Sequence, residues 1–279
     1  MRDERVLSAV RMGAGVARRL RAAPSDAGQV HSVFEHALNI DWHDGRLLTL
    51  HGPGPLRAPF GAALARFPTG AVRPGRNVRR RDDMITLDGI AIEWNGAATI
   101  DVTMRAASGD RRSVTTLLSA LPHVESGRAG LDSPIGRRAQ SRLDEGLRLR
   151  QSKTFIEGAL GLLGLGEGLT PSGDDFLVGT LAVVHRFARS WLDAHPEVES
   201  VVGVASATAT NAIAGEFVAH ALAGQFGESL IDLMSAESAK DIERAVIHLL
   251  RMGATSGADT LRGIRSALCA LGPHGETSA

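Results

Sequence analysis

The stretch Gly164–Gly179, reading GLGEGLTPSGDDFLVG, constrains this chain more than any other. Gly164, Gly166 and Gly168, at alternate positions, make a run without side chains. Thr170-Pro171 follows as a helix-start signal, since threonine can cap and proline is tolerated in the first turn. Ser172, Gly173, Asp174 and Asp175 load that turn with small and acidic residues, and Phe176 to Val184 continue as an apolar helix. A glycine loop feeding a helix start points backbone N–H groups outward, and the helix dipole there favours an anion.

The pattern recurs further on. Ser172–Gly179 and Ser256–Gly263 both read Ser-Gly-x-Asp-x-Leu-x-Gly, with five shared residues at identical spacing. The repeat predicts two equivalent helix starts facing one another across a site. Asp174, Asp175 and Asp259 are its candidate catalytic groups, and Gly166, Gly168, Thr170, Ser172, Gly173, Thr255, Ser256 and Gly257 its candidate substrate- or anion-binding groups. An exposed acid in a helix's first turn offsets the dipole by roughly 0.3–1 kcal/mol. That accounts for one acid per start, but not for Ser-Gly at matching offsets before both. Two chemistries stay open for the aspartates. They hold Mg²⁺, a hard cation suited to carboxylates, water and phosphate, or they accept hydrogen bonds from a neutral amide or ureido group while N–H groups hold an anion. General acid/base work requires burial to raise a carboxyl pKa. The glycines are read equally well as a helix C-cap and a close helix crossing.

Several other chemistries are excluded. A dinucleotide loop needs a preceding strand and GxGxxG, whereas Thr154 to Leu163 reads as helix and the spacing is GxGxG. No GK[ST] follows, and no serine sits in a GxSxG elbow. The histidines show no HExxH spacing, and His220 reads as a satisfied interior or rim residue; Asn211 and Glu216 are weaker site candidates. The single cysteine, Cys269, excludes an internal disulfide framework and a cysteine-based zinc cage.

These motifs carry a resemblance. GLGEGLTPSGDDFLVG together with MGATSGADTLRGI, supported by HSVFEHALNI and IAGEFVAHALAGQF, is similar to a bacterial family that includes the AllH subunit of oxamate carbamoyltransferase from allantoin breakdown. The likeness runs from about Val30 to Ala267. Ala254 stands where the family pattern often has histidine, and Ala214 where it often has serine. The resemblance implies a transferase subunit in purine degradation that converts oxalurate and phosphate to oxamate and carbamoyl phosphate, and that is active only with partner subunits. The alternatives are a non-catalytic binding or scaffold subunit and a Mg²⁺-dependent enzyme acting on another small carboxylate.

The chain has 279 residues, 43% of them hydrophobic, enough for one large or two modest domains. Lys plus Arg and Asp plus Glu balance at 31 each, which argues against nucleic acid or an acidic membrane as partner. The arginine-punctuated N-terminus does not read as a signal peptide, and no run reaches the roughly 18 apolar residues of a membrane helix. A reducing cytoplasm fits the cysteine usage.

The expected class is α+β, an N-terminal β-rich domain over 1–108 followed by a larger all-α domain over 109–279, with the boundary at 106–111. A helix is expected over 4–22 and a break over 24–28. Strands follow in 30–34, 84–87, 90–94 and 98–104, with a hairpin over 37–50 around Asp44-Gly45. A short helix is expected at 60–67, and Arg73, Arg76, Arg79, Arg80 and Arg81 read as a solvated loop cluster. Helices are expected over 112–121, 136–150, 152–163, 172–191, 200–210, 212–223, 239–252 and 256–271, with a frayed tail over 274–279.

Overall fold

The computed structural model describes residues 5–22, 25–107, 111–124 and 129–272. The expected frayed tail lies outside them, as do 108–110 of the expected boundary stretch. The chain forms two compact units, Met1–Val102 and Thr103–Ala279.

The first unit contains β1 (Arg5–Gly13), α1 (Ala14–Ala22), β2 (Ser25–Val33), β3 (Ala37–Asp41), β4 (Leu47–His51), β5 (Gly61–Leu64), β6 (Asn77–Arg81), β7 (Met84–Leu87), β8 (Ile90–Glu93) and β9 (Ala98–Ile100). The strand order β5-β4-β3-β2-β6-β7-β8-β1-β9, with β5 also paired to β1, closes the sheet into a barrel. β1 does the closing. It runs parallel to β8 through Arg5↔Ile90 to Ser8↔Glu93, antiparallel to β5 through Ala9↔Leu64, and parallel to β9 through Arg11↔Ala98. Leu38, Ile40, Val78, Ile85 and Ile92 fill the interior. The expected hairpin is present, with Leu38 opposite Leu50. His43 and Gly45 take positive φ in its turn, and Asp44 accepts a hydrogen bond from the Arg46 N–H.

Four local expectations are corrected in this unit. The helix expected over 4–22 is strand up to Gly13 and helix only from Ala14. Leu7 and Ala9 alternate into the core and an irregularity between Ala9 and Arg11 brings Met12 there as well, a pattern that apolar Val6 and Val10 on the outer face disguise. Ser25–Gly28, expected as a break, belongs to β2. The helix expected at 60–67 is β5, whose four residues are all buried. The arginine cluster is not all loop: Arg79, Arg80 and Arg81 lie in β6, and Arg80 is buried with a guanidinium N–H donated to the Leu20 carbonyl.

The second unit is helical: α2 (Arg111–Ala120), α3 (Ala129–Asp132), α4 (Pro134–Leu149), α5 (Ser152–Leu162), α6 (Ser172–Phe187), α7 (Arg189–Asp193), α8 (Pro196–Ala209), α9 (Ala212–Leu222), α10 (Glu228–Ser235), α11 (Ala239–Leu250) and α12 (Ser256–Leu271). α6 is buried on all sides from Ser172 to His185, apart from half-buried Val178, as expected for a helix apolar all round. α11 buries Ile242, Ala245, Val246 and Leu249 along one stripe, and Ser238 caps it through the Asp241 N–H. The helix expected over 172–191 ends at Phe187 and restarts as α7. The architecture is therefore a β-rich N-terminal region followed by a larger helical one.

Candidate functional site

α6 and α12 are held together by glycine. A β-carbon on Gly179 would stand 2.1 Å from the Thr260 carbonyl oxygen, and one on Gly263 would stand 2.0 Å from that of Phe176. Gly179 corresponds to Gly263 and Phe176 to Thr260 in the repeat, so the crossing is a local two-fold. The other repeat glycines obey it as well. A β-carbon on Gly173 would meet the Leu162 carbonyl oxygen at 2.0 Å, and one on Gly257 would meet that of Leu249 at 2.0 Å. Their N–H groups are donated inside the chain, Gly173 to Leu165 at 2.8 Å and Gly257 to Met252 at 3.1 Å. Each start is also roofed by a glycine at positive φ. Gly166 (φ 116) lies against Ser172, and Gly253 (φ 61) lies against Ser256.

The two starts meet directly. The hydroxyls of Thr170 and Ser256 are 2.6 Å apart, and both lie close enough to Asp175 to favour its ionised form. Asp175 is 9% exposed, and burial pushes its carboxyl up to about 8; the Ser256 hydroxyl opposes the shift and the nearby Asp259 carboxylate adds to it. Asp259 is 0% exposed, and neither of its carboxylate oxygens has a hydrogen-bond partner among the described residues. The Ser172 hydroxyl and Oδ2 of Asp175 are likewise buried and unpartnered. Buried polar groups are nearly always paired, so four such atoms at one junction mark it out.

Asp174 turns elsewhere. Its carboxylate accepts from the Gly164 N–H at 3.1 and 3.2 Å and from the Thr210 hydroxyl at 2.7 Å, tying the glycine loop to the end of α8. Burial pushes it up to about 6 against those two bonds. Gly164 (φ 69) packs so tightly there that a β-carbon would lie 2.2 Å from the Ala209 carbonyl oxygen. Thr210 carried no distinguishing signal in the sequence. Of the candidate residues, Thr170, Ser172, Asp175, Ser256 and Asp259 gather at the junction. Gly168 (φ 98) stays on the exposed loop, and Thr255 begins α12, its carbonyl accepting the Asp259 N–H at 2.9 Å. Neither Thr170 nor Thr255 caps its helix through its side chain.

The weaker candidates satisfy local needs. Asn211 caps α9 through the Ile213 and Ala214 N–H groups. Glu216 pairs with His220 at 3.3 Å, and His220 bonds Gln225 at 2.6 Å, in keeping with a satisfied rim histidine. Among the described residues no three His, Cys, Asp or Glu side chains gather as a metal cluster, so the junction offers two carboxylates and hydroxyls only. Such oxygen donors suit a hard cation or the N–H groups of a polar ligand.

The description "AllH family N-terminal domain" matches residues 8–100, and "Oxamate carbamoyltransferase subunit AllH" matches residues 162–268. No solved structure matches the chain. Among the described residues no helix is long and apolar enough to cross a membrane. With matches that take in most of the barrel and both helix starts, the chain belongs to the AllH family of oxamate carbamoyltransferase subunits.

Proposed function

We propose that this protein is a cytoplasmic subunit of an oxamate carbamoyltransferase, or a close relative of one, acting in allantoin and purine breakdown. Oxalurate and phosphate become oxamate and carbamoyl phosphate: the bond from the carbamoyl carbon to the oxamate nitrogen breaks, a carbon–oxygen bond to phosphate forms, and the phosphate proton ends on the departing nitrogen. The working site is the junction of the two helix starts. The observation that carries this placement is Asp259, a fully buried carboxylate with both oxygens unpartnered among the described residues. Leaving such a group without a donor is costly. A ureido or carbamoyl group brings several N–H donors to it. The anionic end of the ligand falls to the Ser172 hydroxyl, unpartnered among the described residues, and to the loop through Gly166 and Gly168 beside the helix start. Gly173 and Gly257 serve this site by letting the backbones close around it. Catalysis is positioning and charge stabilisation at the developing oxyanion, completed by groups from partner subunits.

Reconstitution with the partner subunits tests this. Asp175→Asn and Asp259→Asn should each abolish carbamoyl phosphate formation by the assembly, and the purified single chain should not turn over oxalurate. Oxalurate, oxamate or phosphate should raise the melting temperature against chloride at matched ionic strength, by an amount equivalent to about 2.7 kcal/mol at a hundredfold excess over Kd. Full turnover in either variant would end the proposal. Loss of turnover without any ligand-dependent shift would favour a supporting subunit over a substrate-binding one.

A further inference from the structure

We propose that Asp175 and Asp259 together hold one divalent cation of the Mg²⁺ class, with the Ser172 and Ser256 hydroxyls beside it. Two buried carboxylates face the same junction, and three of their four oxygens have no partner among the described residues. Two carboxyls this close in a dry place do not both ionise readily, and Asp259 adds to the upward shift at Asp175. Paired buried charges persist when a counter-charge lies between them.

The repeat explains why one half is left open. At the first acid, Thr170 and Ser256 supply hydroxyls to Asp175. In the repeat, Ser172 is the counterpart of Ser256, whose hydroxyl acts on Asp175, and Asp259 is the counterpart of Asp175. The counterpart of Thr170 is Ala254, which has no hydroxyl and is exposed. The second acid therefore lacks the donor that the first one has, and both Asp259 and Ser172 are left with unused lone pairs. Every unpartnered atom in the set is an oxygen, and the set contains neither sulfur nor imidazole. That donor set selects a hard cation, which takes one oxygen from each carboxylate, leaves the other Asp259 oxygen to the N–H groups of the ligand, and completes its shell with water or with an anionic ligand. The cation also removes a conflict in the site, because a small anion near two bare carboxylates would be repelled, whereas a bridging cation draws it in.

The inference rests on the paired helix starts being the working site, and its test needs no turnover. The full chain is stripped with chelator and titrated with Mn²⁺, whose free signal is read by electron paramagnetic resonance. The wild type should bind one Mn²⁺ per chain, displaceable by Mg²⁺. Asp259→Asn should weaken binding at least tenfold, and Asp175→Asn gives the same readout should the first variant fold poorly. Glu237→Gln, exposed between α10 and α11, should bind as the wild type does. Absence of Mn²⁺ binding by the wild type overturns the proposal, as does unchanged binding in both aspartate variants. A chain that binds Mn²⁺ but supports no turnover in the assembly breaks the carbamoyltransferase proposal alone. Turnover that proceeds in chelator breaks the cation alone.

Discussion

The first helix start carries Thr170, Asp174 and Asp175, while the second carries Ala254, Ala258 and Asp259 at the same places. What the copies share is the means of packing: two glycines each, at which an added β-carbon would stand 2.0 or 2.1 Å from a backbone carbonyl oxygen. What they do not share is polar satisfaction. The first start ties one acid to Gly164 and Thr210 and gives the other two hydroxyls. The second leaves its only acid bare. Packing symmetry has been kept while the hydrogen bonding has diverged, so the two starts form one scaffold with two different halves.

The packing half of this comparison is the easiest to break. Gly179→Val and Gly263→Val each push a side chain into the facing helix backbone, which must move because no flexible side chain can yield. Each should lower unfolding stability by at least the roughly 1–3 kcal/mol typical of overpacked cores, and by equal amounts. A marked inequality in chemical denaturation would show the crossing to be less symmetric than the carbonyl distances say. Next in size, Asp174→Ala leaves the Gly164 N–H and the Thr210 hydroxyl without their acceptor, and should cost about 2–3 kcal/mol by the same measurement. Its counterpart Ala258→Ser should change stability by no more than about 0.5 kcal/mol.

The polar half gives smaller effects of opposite sign. In chelator, Asp259→Asn replaces a buried carboxyl whose oxygens have no hydrogen-bond partner among the described residues by a neutral amide, and should raise stability by about 1 kcal/mol. Asp175→Asn should raise it less, because hydroxyls already face that acid. Equal gains would argue against the difference in satisfaction. By contrast Thr170→Val removes the hydroxyl contact to Ser256 and should cost about 1 kcal/mol or less in thermal melts.

Much of this was legible from residue order. Helical periods over 239–252 and 256–271 fixed the last helices to within about two residues, and Asp44-Gly45 marked a real hairpin turn. The repeat announced two related helix starts. Where local pattern misled, tertiary closure was the cause. Arg5–Gly13 has helical-looking spacing but is a strand because β5, β8 and β9 surround it. The alanine-rich Gly61–Leu64 would suit a helix, but β4 and β1 take up its two edges. Residues 228–235 gave no clear signal, although α10 buries Ser229, Leu230, Leu233 and Met234. At the site, residue types were legible but depth was not. The dipole argument presumes surface acids, whereas Asp174, Asp175 and Asp259 are all buried. That Asp174 would turn toward Thr210 depends on where α8 ends, and no spacing near the motif encodes it.

The barrel seam bears on how this protein comes off the ribosome. β1 precedes all three of its sheet partners in the chain: β5 at Gly61–Leu64, β8 at Ile90–Glu93 and β9 at Ala98–Ile100. By contrast β3 meets β4 across a short turn, and β6 and β7 pair with their immediate successors. Long-range pairings must overcome loop-closure entropy before they yield any contact, so they form late and slowly. The nascent meander can therefore assemble strand by strand, while β1 waits with both edges open until Ile100 has cleared the exit tunnel. During that interval β1 is the segment most exposed to wrong partners, and a chaperone bound there would do the most good.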